Sequence, residues 1–258
     1  MAFLEKLFAL DGKVVAVTGG GGMLCGEMAR AFGASGCKVV VLDKNESKAR
    51  VVAEEIISAG GEAAFMAHEA TVKQSFQDAL DFTIQKFGRI DTLVNGAGVN
   101  APTPLLEITE EEWDGIFDSH LKGTLFGCQV FGPKMIESGG GSIMNMSSAS
   151  SGPPLSKAFA YSAAKSGIKN LTQNIAREWA KEGVRINALR PGFFPTEWSR
   201  KNFITKERES QILGHTAMGR YGEPHELVGA TLWLASDGAK FVTGAEIAVD
   251  GGFSCMTI

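Results

Sequence analysis

Lys13-Val14-Val15-Ala16-Val17-Thr18-Gly19-Gly20-Gly21-Gly22 is the stretch on which the reading of the fold turns. Its first half is a short, unbroken apolar run, the pattern of a parallel strand buried on both faces. Four glycines follow, and then Met28, Ala29, Ala31 and Phe32 recur at helical spacing. Strand, glycine turn and helix N-terminus in that order make an anion site. The unpaired N–H groups of the first helical turn and the helix dipole converge on one place, and a pyrophosphate suits it.

The next strand, Lys38-Val39-Val40-Val41-Leu42, ends in Asp43. An acid at about this offset from the glycine turn accepts hydrogen bonds from the adenosine ribose hydroxyls. Its charge would repel a 2′-phosphate, so NAD is expected as cofactor in preference to NADP. Lys44 is the opposing signal, and a plain loop acid or helix cap is the alternative reading of Asp43. Further on, a helix is expected near 47–59, a strand over 63–68 and a helix over about 71–87. Thr92-Leu93-Val94 reads as a fourth strand running into Asn95-Gly96-Ala97-Gly98. Thr109-Glu110-Glu111-Glu112 reads as a capping box opening one long helix to about Met135. A strand over 142–146, a helix carrying Tyr161, a strand over 185–189, a helix over 223–236 and a last strand before Asp250-Gly251-Gly252 complete the pattern. The regular alternation predicts an α/β fold: a Rossmann-like doubly wound parallel sheet of about seven strands, helices on both faces, in a single domain over 1–258. Residues 193–218 lack a strand pattern and are expected to form a substrate lid.

The chain has 258 residues, 44% hydrophobic and 21% charged, enough for one sizeable core. A net charge of -4 without any basic run argues against a nucleic-acid surface. Cys25, Cys37, Cys128 and Cys255 lie far apart, and the four histidines lack ligand spacing, so no metal is expected. No segment reads as a signal peptide or a membrane span, which places the expected location in the cytoplasm.

Tyr161 and Lys165 stand four apart, so a helix brings both side chains to one face. A tyrosine titrates near pH ~10. A neighbouring ammonium favours the phenolate and lowers that value, so the pair can trade protons with an alcohol or carbonyl. Ser148 follows the apolar run Ser142-Ile143-Met144-Asn145-Met146, where a hydroxyl can donate to the same substrate oxygen. Alone, Tyr-x-x-x-Lys is as ordinary as a half-buried Tyr beside a solvated Lys.

Thr18-Gly19, Asp43, Asn95-x-Ala97-Gly98, Ser148, Tyr161-x-x-x-Lys165, Pro191-Gly192 and Asp250-Gly251-Gly252 together resemble the short-chain dehydrogenase/reductase family, over essentially the whole chain. The resemblance implies that Tyr161 is the acid/base, that Ser148 polarises the substrate oxygen and that Lys165 holds the nicotinamide ribose. It implies cofactor contacts at Gly19, Gly22, Leu24, Asp43, Asn95 and Gly98, and a nicotinamide-wrapping segment from Pro191 to Thr196. It also implies a homotetramer acting on a small-molecule substrate. Local strings such as Pro191-Gly192-Phe193-Phe194 resemble a sugar-acid subgroup, of fructuronate or mannonate type. Hydride would pass between the nicotinamide and a secondary alcohol or ketone of a sugar acid, keto-sugar or polyol. A 3-oxoacyl carrier-protein reductase-like enzyme and a non-catalytic NAD-binding protein are the alternatives. Asn100, Phe193, Trp198 and Arg200 are the candidate substrate residues, Arg200 as a carboxylate ligand or as a solvated charge.

Three departures accompany the resemblance. Met23 and Cys25 stand where the family's Thr-Gly-x-x-x-Gly-x-Gly turn has glycines. Gly96 replaces the second Asn of Asn-Asn-Ala-Gly. His120 stands where the family often has an active-site Asn that holds a water linked to the Lys. A neutral imidazole both donates and accepts, so His120 can take that place and make the relay titratable near pH ~6.5. A space-filling His at a helix kink is the equal alternative.

Overall fold

A computed structural model describes residues 3–256, apart from the side chain of Trp198. In chain order the elements are α1 (Phe3–Leu7), β1 (Val14–Thr18), α2 (Met23–Ala34), β2 (Lys38–Asp43), α3 (Glu46–Ser58), β3 (Glu62–Ala67), α4 (Lys73–Phe87), β4 (Thr92–Asn95), α5 (Glu110–Phe117) and α6 (Gly123–Glu137). They continue with β5 (Gly141–Met146), α7 (Phe159–Trp179), β6 (Val184–Pro191), α8 (Glu197–Asn202), α9 (Lys206–Gly214), α10 (Val228–Ala235) and β7 (Glu246–Val249). The seven strands form one sheet in the order β3-β2-β1-β4-β5-β6-β7, every pair parallel.

All five residues of β1 are buried, and the pleat divides them between two cores. Val15 and Val17 pack with Met28 and Phe32 of α2 and Ile56 of α3. Val14 and Ala16 face Phe76 of α4 and Phe131 and Met135 of α6 on the other side. Both faces of the sheet are therefore covered, which is why the strands read as continuous apolar runs instead of alternating ones. The strand order reverses between β1 and β4, and the crevice outside their carboxyl ends is where such sheets bind ligands.

The expectation for the chain after Thr109 needs correction. The long helix after Thr109 is broken: α5 stops at Phe117, a π-helical turn spans Asp118–Lys122, and α6 resumes at Gly123. The capping box is half made. Thr109 Oγ1 accepts from the Glu112 amide at 3.1 Å, but the Glu112 carboxylate is taken by the Thr103 hydroxyl at 2.7 Å. The 193–218 segment, expected as a lid, contains α8 and α9, each capped by a threonine, Thr196 and Thr205. Among the described residues no helix is long and apolar enough to cross a membrane, and no three His, Cys, Asp or Glu side chains gather as metal ligands.

Candidate active site

A cavity of about 770 Å³ runs along the carboxyl ends of the strands. Gly19, Gly22, Leu24 and Asp43 line it, as do Gly98, Asn100, His120, Ser148, Tyr161, Lys165, Pro191, Phe193 and Thr196. Most of the residues singled out from sequence thus meet in one space, although their chain positions span most of its length.

At the glycine turn the backbone does the shaping. Gly19 has φ +67°, and a Cβ there would lie 3.0 Å from the backbone of Ala97, so only glycine fits. Gly22 caps α2 without any side-chain bond, leaving the first-turn amides of that helix to a ligand. Asp43 Oδ2 accepts from the Gly21 amide at 3.0 Å and Oδ1 from the Asn45 amide at 2.9 Å, which fixes the carboxylate at the rim. Lys44 is held off by Glu69 at 2.8 Å. This cradle, with its small turn, unpaired amides and rim carboxylate, fits a dinucleotide pyrophosphate and ribose.

The two departures around the turn compensate each other. A Cβ on Gly96 would come 2.2 Å from Cys25 Sγ. The thiol therefore fills the volume that a side chain at 96 would need, and burial pushes its pKa up to about 12. Sequence reading treats these as separate irregularities; they are one packing solution.

At the other end the side chains do the work. Residues on α7 bring Tyr161 and Lys165 to one face, with Lys165 Nζ 5.5 Å from the Tyr161 ring centroid. Lys165 is 3% exposed and donates to the Met146 carbonyl at 2.5 Å. Burial pushes it down to about 7. Burial also raises the Tyr161 phenol above its ordinary value, opposed by a hydrogen bond from Ser148. The expected lowering of Tyr161 by the ammonium is thus outweighed here by desolvation. Ser148 is itself oriented, because its Oγ accepts from the Ser150 amide at 3.2 Å.

His120 sits in the π-helical turn, 5% exposed, its ring edge-on to Tyr161 with centroids 5.1 Å apart. Its Nε2 lies 2.6 Å from the Val99 carbonyl. A carbonyl only accepts, so Nε2 carries the proton. Burial and the Lys165 charge hold the imidazole well below its usual pKa, so the ring is neutral and Nδ1 is a bare acceptor. Nδ1 is buried without a partner. The expectation of titration near pH ~6.5 is corrected on this ground. Gly98 makes room for the ring: a Cβ there would fall 1.9 Å from His120 Cε1.

Two expectations land elsewhere. Asn95 does not line the cavity; its Nδ2 donates to Asn145 Oδ1 at 2.9 Å inside the core. Its amide nitrogen is paired across the sheet, whereas its buried Oδ1 has no partner among the described residues. Arg200 is exposed and lies over the Tyr221 ring, 5.3 Å away, outside the cavity lining. The Trp198 side chain lies outside the described residues. Sequence reading missed Arg208, whose guanidinium donates twice to Ser156 (2.8 and 3.0 Å) and stacks 3.8 Å from the Phe203 ring. That contact ties α9 to the loop between Ser148 and Tyr161. It also missed Glu246, although an acid opening an apolar final strand was a readable signal.

A family model described as enoyl-(acyl carrier protein) reductase matches residues 24–254. A D-threitol dehydrogenase of Mycolicibacterium smegmatis is 34% identical, over 96% of this chain and 95% of that protein. A galactitol 2-dehydrogenase (L-tagatose-forming) of Cereibacter sphaeroides is 36% identical, over 97% of this chain and 98% of that one. In structure, a gluconate 5-dehydrogenase of Burkholderia cenocepacia, in complex with NADP and tartrate, superposes with a TM-score of 0.94 at 30% identity, covering 98% of this chain and 100% of that one. Matched by a family model over most of its length and by relatives more than 30% identical along nearly all of it, the chain belongs to the short-chain dehydrogenase/reductase family and is an oxidoreductase acting on CH–OH groups.

Proposed function

We propose that the enzyme interconverts a secondary alcohol and a ketone of an uncharged polyol or keto-sugar, using NAD in preference to NADP. The observation that carries the reading is that Ser148, Tyr161 and Lys165 line one wall of the cavity that opens at the glycine turn, with Lys165 Nζ 5.5 Å from the Tyr161 ring centroid. The dinucleotide, when bound, supplies or takes the hydride. Gly19, Gly22, Leu24, Asp43, Gly98, Pro191 and Thr196 are the residues placed to hold it, with Lys165 at the ribose.

Tyr161 takes the alcohol proton in oxidation and returns it in reduction, at the oxygen that Ser148 also contacts. Lys165, pushed down to about 7 by burial, can gain and lose a proton beside the phenol near neutral pH. His120 stays neutral and offers Nδ1 to a water or a substrate hydroxyl. The segment 193–218, latched to Ser156 by Arg208, covers the substrate.

Substrate charge is the point at which the site narrows the choice. Lys44 and Lys165 are the only Lys or Arg among the lining residues, and Lys44 is tied to Glu69. With Arg200 outside, nothing in the described lining pairs a sugar-acid carboxylate, whereas Asn100, Ser148 and Ser199 suit hydroxyls. The two similar curated enzymes named for threitol and galactitol support a polyol. Asp43 supports NAD, although the similar Burkholderia enzyme was solved with NADP. The apolar wall of Leu155, Phe203 and Ile204 keeps an acyl substrate as the second reading. The same reading includes a homotetramer in the cytoplasm.

The test is a turnover panel of threitol, galactitol and the matching ketoses, beside gluconate and a 3-oxoacyl thioester, each with NAD(H) and NADP(H). Turnover of a polyol with NAD is the expected result. Activity confined to gluconate or to the thioester removes the uncharged-substrate reading, and inertness on every substrate removes the catalytic one.

A further inference from the structure

Glu246 is an acid on β7, at the edge of the sheet, and its carboxylate is only 8% exposed. Four groups converge on it. Oε1 accepts from Ser147 Oγ at 2.6 Å and from Ser151 Oγ at 2.8 Å. Oε2 lies 3.0 Å from Arg190 Nη1 on β6 and 3.5 Å from Lys169 Nζ on α7. These bonds and charges hold the carboxylate below its ordinary pKa despite burial, so it is ionised at neutral pH. A buried charge is retained only where each lone pair has a partner, and here each oxygen has two.

What the carboxylate grips is the informative part. Ser147 and Ser151 flank Ser148, one before it and one three residues after. One oxygen takes both hydroxyls, so the two ends of the turn Ala149–Ser151 are drawn to a single point. The Ser151 carbonyl in turn accepts from Ser166 Oγ on α7, the helix that carries Tyr161. The backbone of Ser147 is pinned as well, its amide donating to the Leu189 carbonyl at 2.8 Å. Ser148 itself is bonded within this turn, its Oγ accepting from the Ser150 amide at 3.2 Å and its carbonyl from the Ser151 amide at 2.9 Å, so the turn's placement sets its own.

We propose that Glu246 is a positioning residue: its buried carboxylate clamps both flanks of the Ser148 turn and thereby holds the Ser148 hydroxyl on the Tyr161 phenol. Arg190 and Lys169 neutralise the carboxylate and fix its orientation. The role rests on the proposed use of Ser148 and Tyr161, but it can be read without turnover. The chain has two tyrosines, Tyr161 and Tyr221, and Tyr221 lies outside the cavity lining. In a Tyr221→Phe background, the phenolate absorbance near 295 nm therefore reports Tyr161 alone.

The experiment titrates that signal in the parent, in Glu246→Ala, in Ser148→Ala and in the double variant. Far-UV circular dichroism on every sample confirms the fold. The expected result is an upward shift of the Tyr161 midpoint in Glu246→Ala, matching that in Ser148→Ala, with no further shift in the double variant. Glu246→Gln keeps an oxygen for both serines and is expected to restore the parent midpoint. On the polyol that turns over best, Glu246→Ala is expected to lose about tenfold or more in kcat while NADH affinity is kept. Lower thermal stability with an unmoved midpoint and kcat makes Glu246 a merely structural residue and overturns the proposal. So does an additive shift in the double variant. Should Glu246→Ala not fold, Ser147→Ala/Ser151→Ala removes the same two bonds, and an unmoved midpoint there overturns the proposal equally. Failure of every polyol to react removes the substrate reading alone, because the titration still decides this one.

Discussion

The two ends of the cavity are built by different means. At the glycine end, backbone makes the surface: Gly19 in a left-handed conformation, the open first turn of α2, and a carboxylate, Asp43, held by two amides. Its one nearby ion pair, Lys44–Glu69, is largely exposed on the lysine side. At the Tyr161 end, side chains from the α5–α6 break, the end of β5, the turn after it and α7 make the surface, and the polar ones are buried in a medium that changes their chemistry. Lys165 is near 7 and His120 is neutral because water is excluded there. The lesson is that a ligand's fixed charge can be met by a solvated rim, whereas a proton to be moved needs groups whose affinities burial has brought together.

If this division is right, Tyr161→Phe gives the largest effect. Loss of the proton-transfer group should lower kcat by about 10²–10⁴-fold. NADH binding, measured by fluorescence titration, should be unchanged. A matching loss of cofactor affinity would mean that the two ends are not separable in this way.

Lys165→Met comes next and acts on stability as well as rate. In the folded protein Lys165 titrates at about 7, against 10.5 for the free side chain. Between those values the unfolded chain holds a proton that the folded chain lacks, so unfolding takes one up and stability rises with pH. The penalty is fully present below pH 7 and gone by pH 10.5. Replacing Lys165 with an apolar side chain should therefore raise the thermal midpoint at pH 6–7 by about 3–10 °C. That gain should shrink toward pH 10. A gain independent of pH would show that Lys165 is charged in the folded state throughout.

Asp43→Ser probes the other end, where the expected effect is smaller. Removing the rim carboxylate should cost about tenfold in the NAD-over-NADP ratio of kcat/KM, roughly one close charge interaction at a solvated site. The Tyr161 titration should not move. A ratio already near one in the parent would end the case for NAD preference.

How much of this was legible follows the same division. The sheet, its order of elements and the glycine turn could be read because strands buried on both faces leave apolar runs and tight turns leave glycines. Asp43 was legible as the end of such a run. What could not be read was which polar side chain turns inward. Asn95 goes to Asn145 in the core and Arg200 to Tyr221 outside, although their spacing relative to the motifs said nothing of either. The break at Asp118–Lys122 was hidden because a π-helical turn keeps helical composition. Glu246 was overlooked because its partners, Ser147 and Ser151, lie 99 and 95 residues away in the chain.

The pairing of Cys25 with Gly96 is a case of such hidden coupling, and it can be measured. Gly96→Ala should destabilise the protein by about 1–3 kcal/mol, through overpacking against the thiol. Cys25→Ala in the same chain should recover part of it, leaving the residue due to the Thr18 carbonyl 2.9 Å from the new Cβ. A coupling energy of about 1 kcal/mol by urea unfolding is the expected reading. Simple additivity would return Met23, Cys25 and Gly96 to the status of unrelated departures.

The smallest expected effect is a null, and it separates two accounts of His120. A histidine that titrated in a relay near pH ~6.5 would give the pH–rate profile an acidic limb that His120→Asn abolishes. The structure leaves no room for that. Nε2 must carry its proton to donate to the Val99 carbonyl, and a second proton on Nδ1 would be placed in a buried site beside Lys165. Burial and the Lys165 charge depress the pKa and outweigh the opposing Val99 bond, so the ring is already neutral near neutral pH. Asparagine offers the same pair of functions, one donor and one acceptor, without ionising. The profiles of parent and His120→Asn should therefore run parallel near neutral pH. A limb that disappears in the variant would show that His120 is charged in the working enzyme, and the buried end of the cavity would then be wetter than its contacts imply.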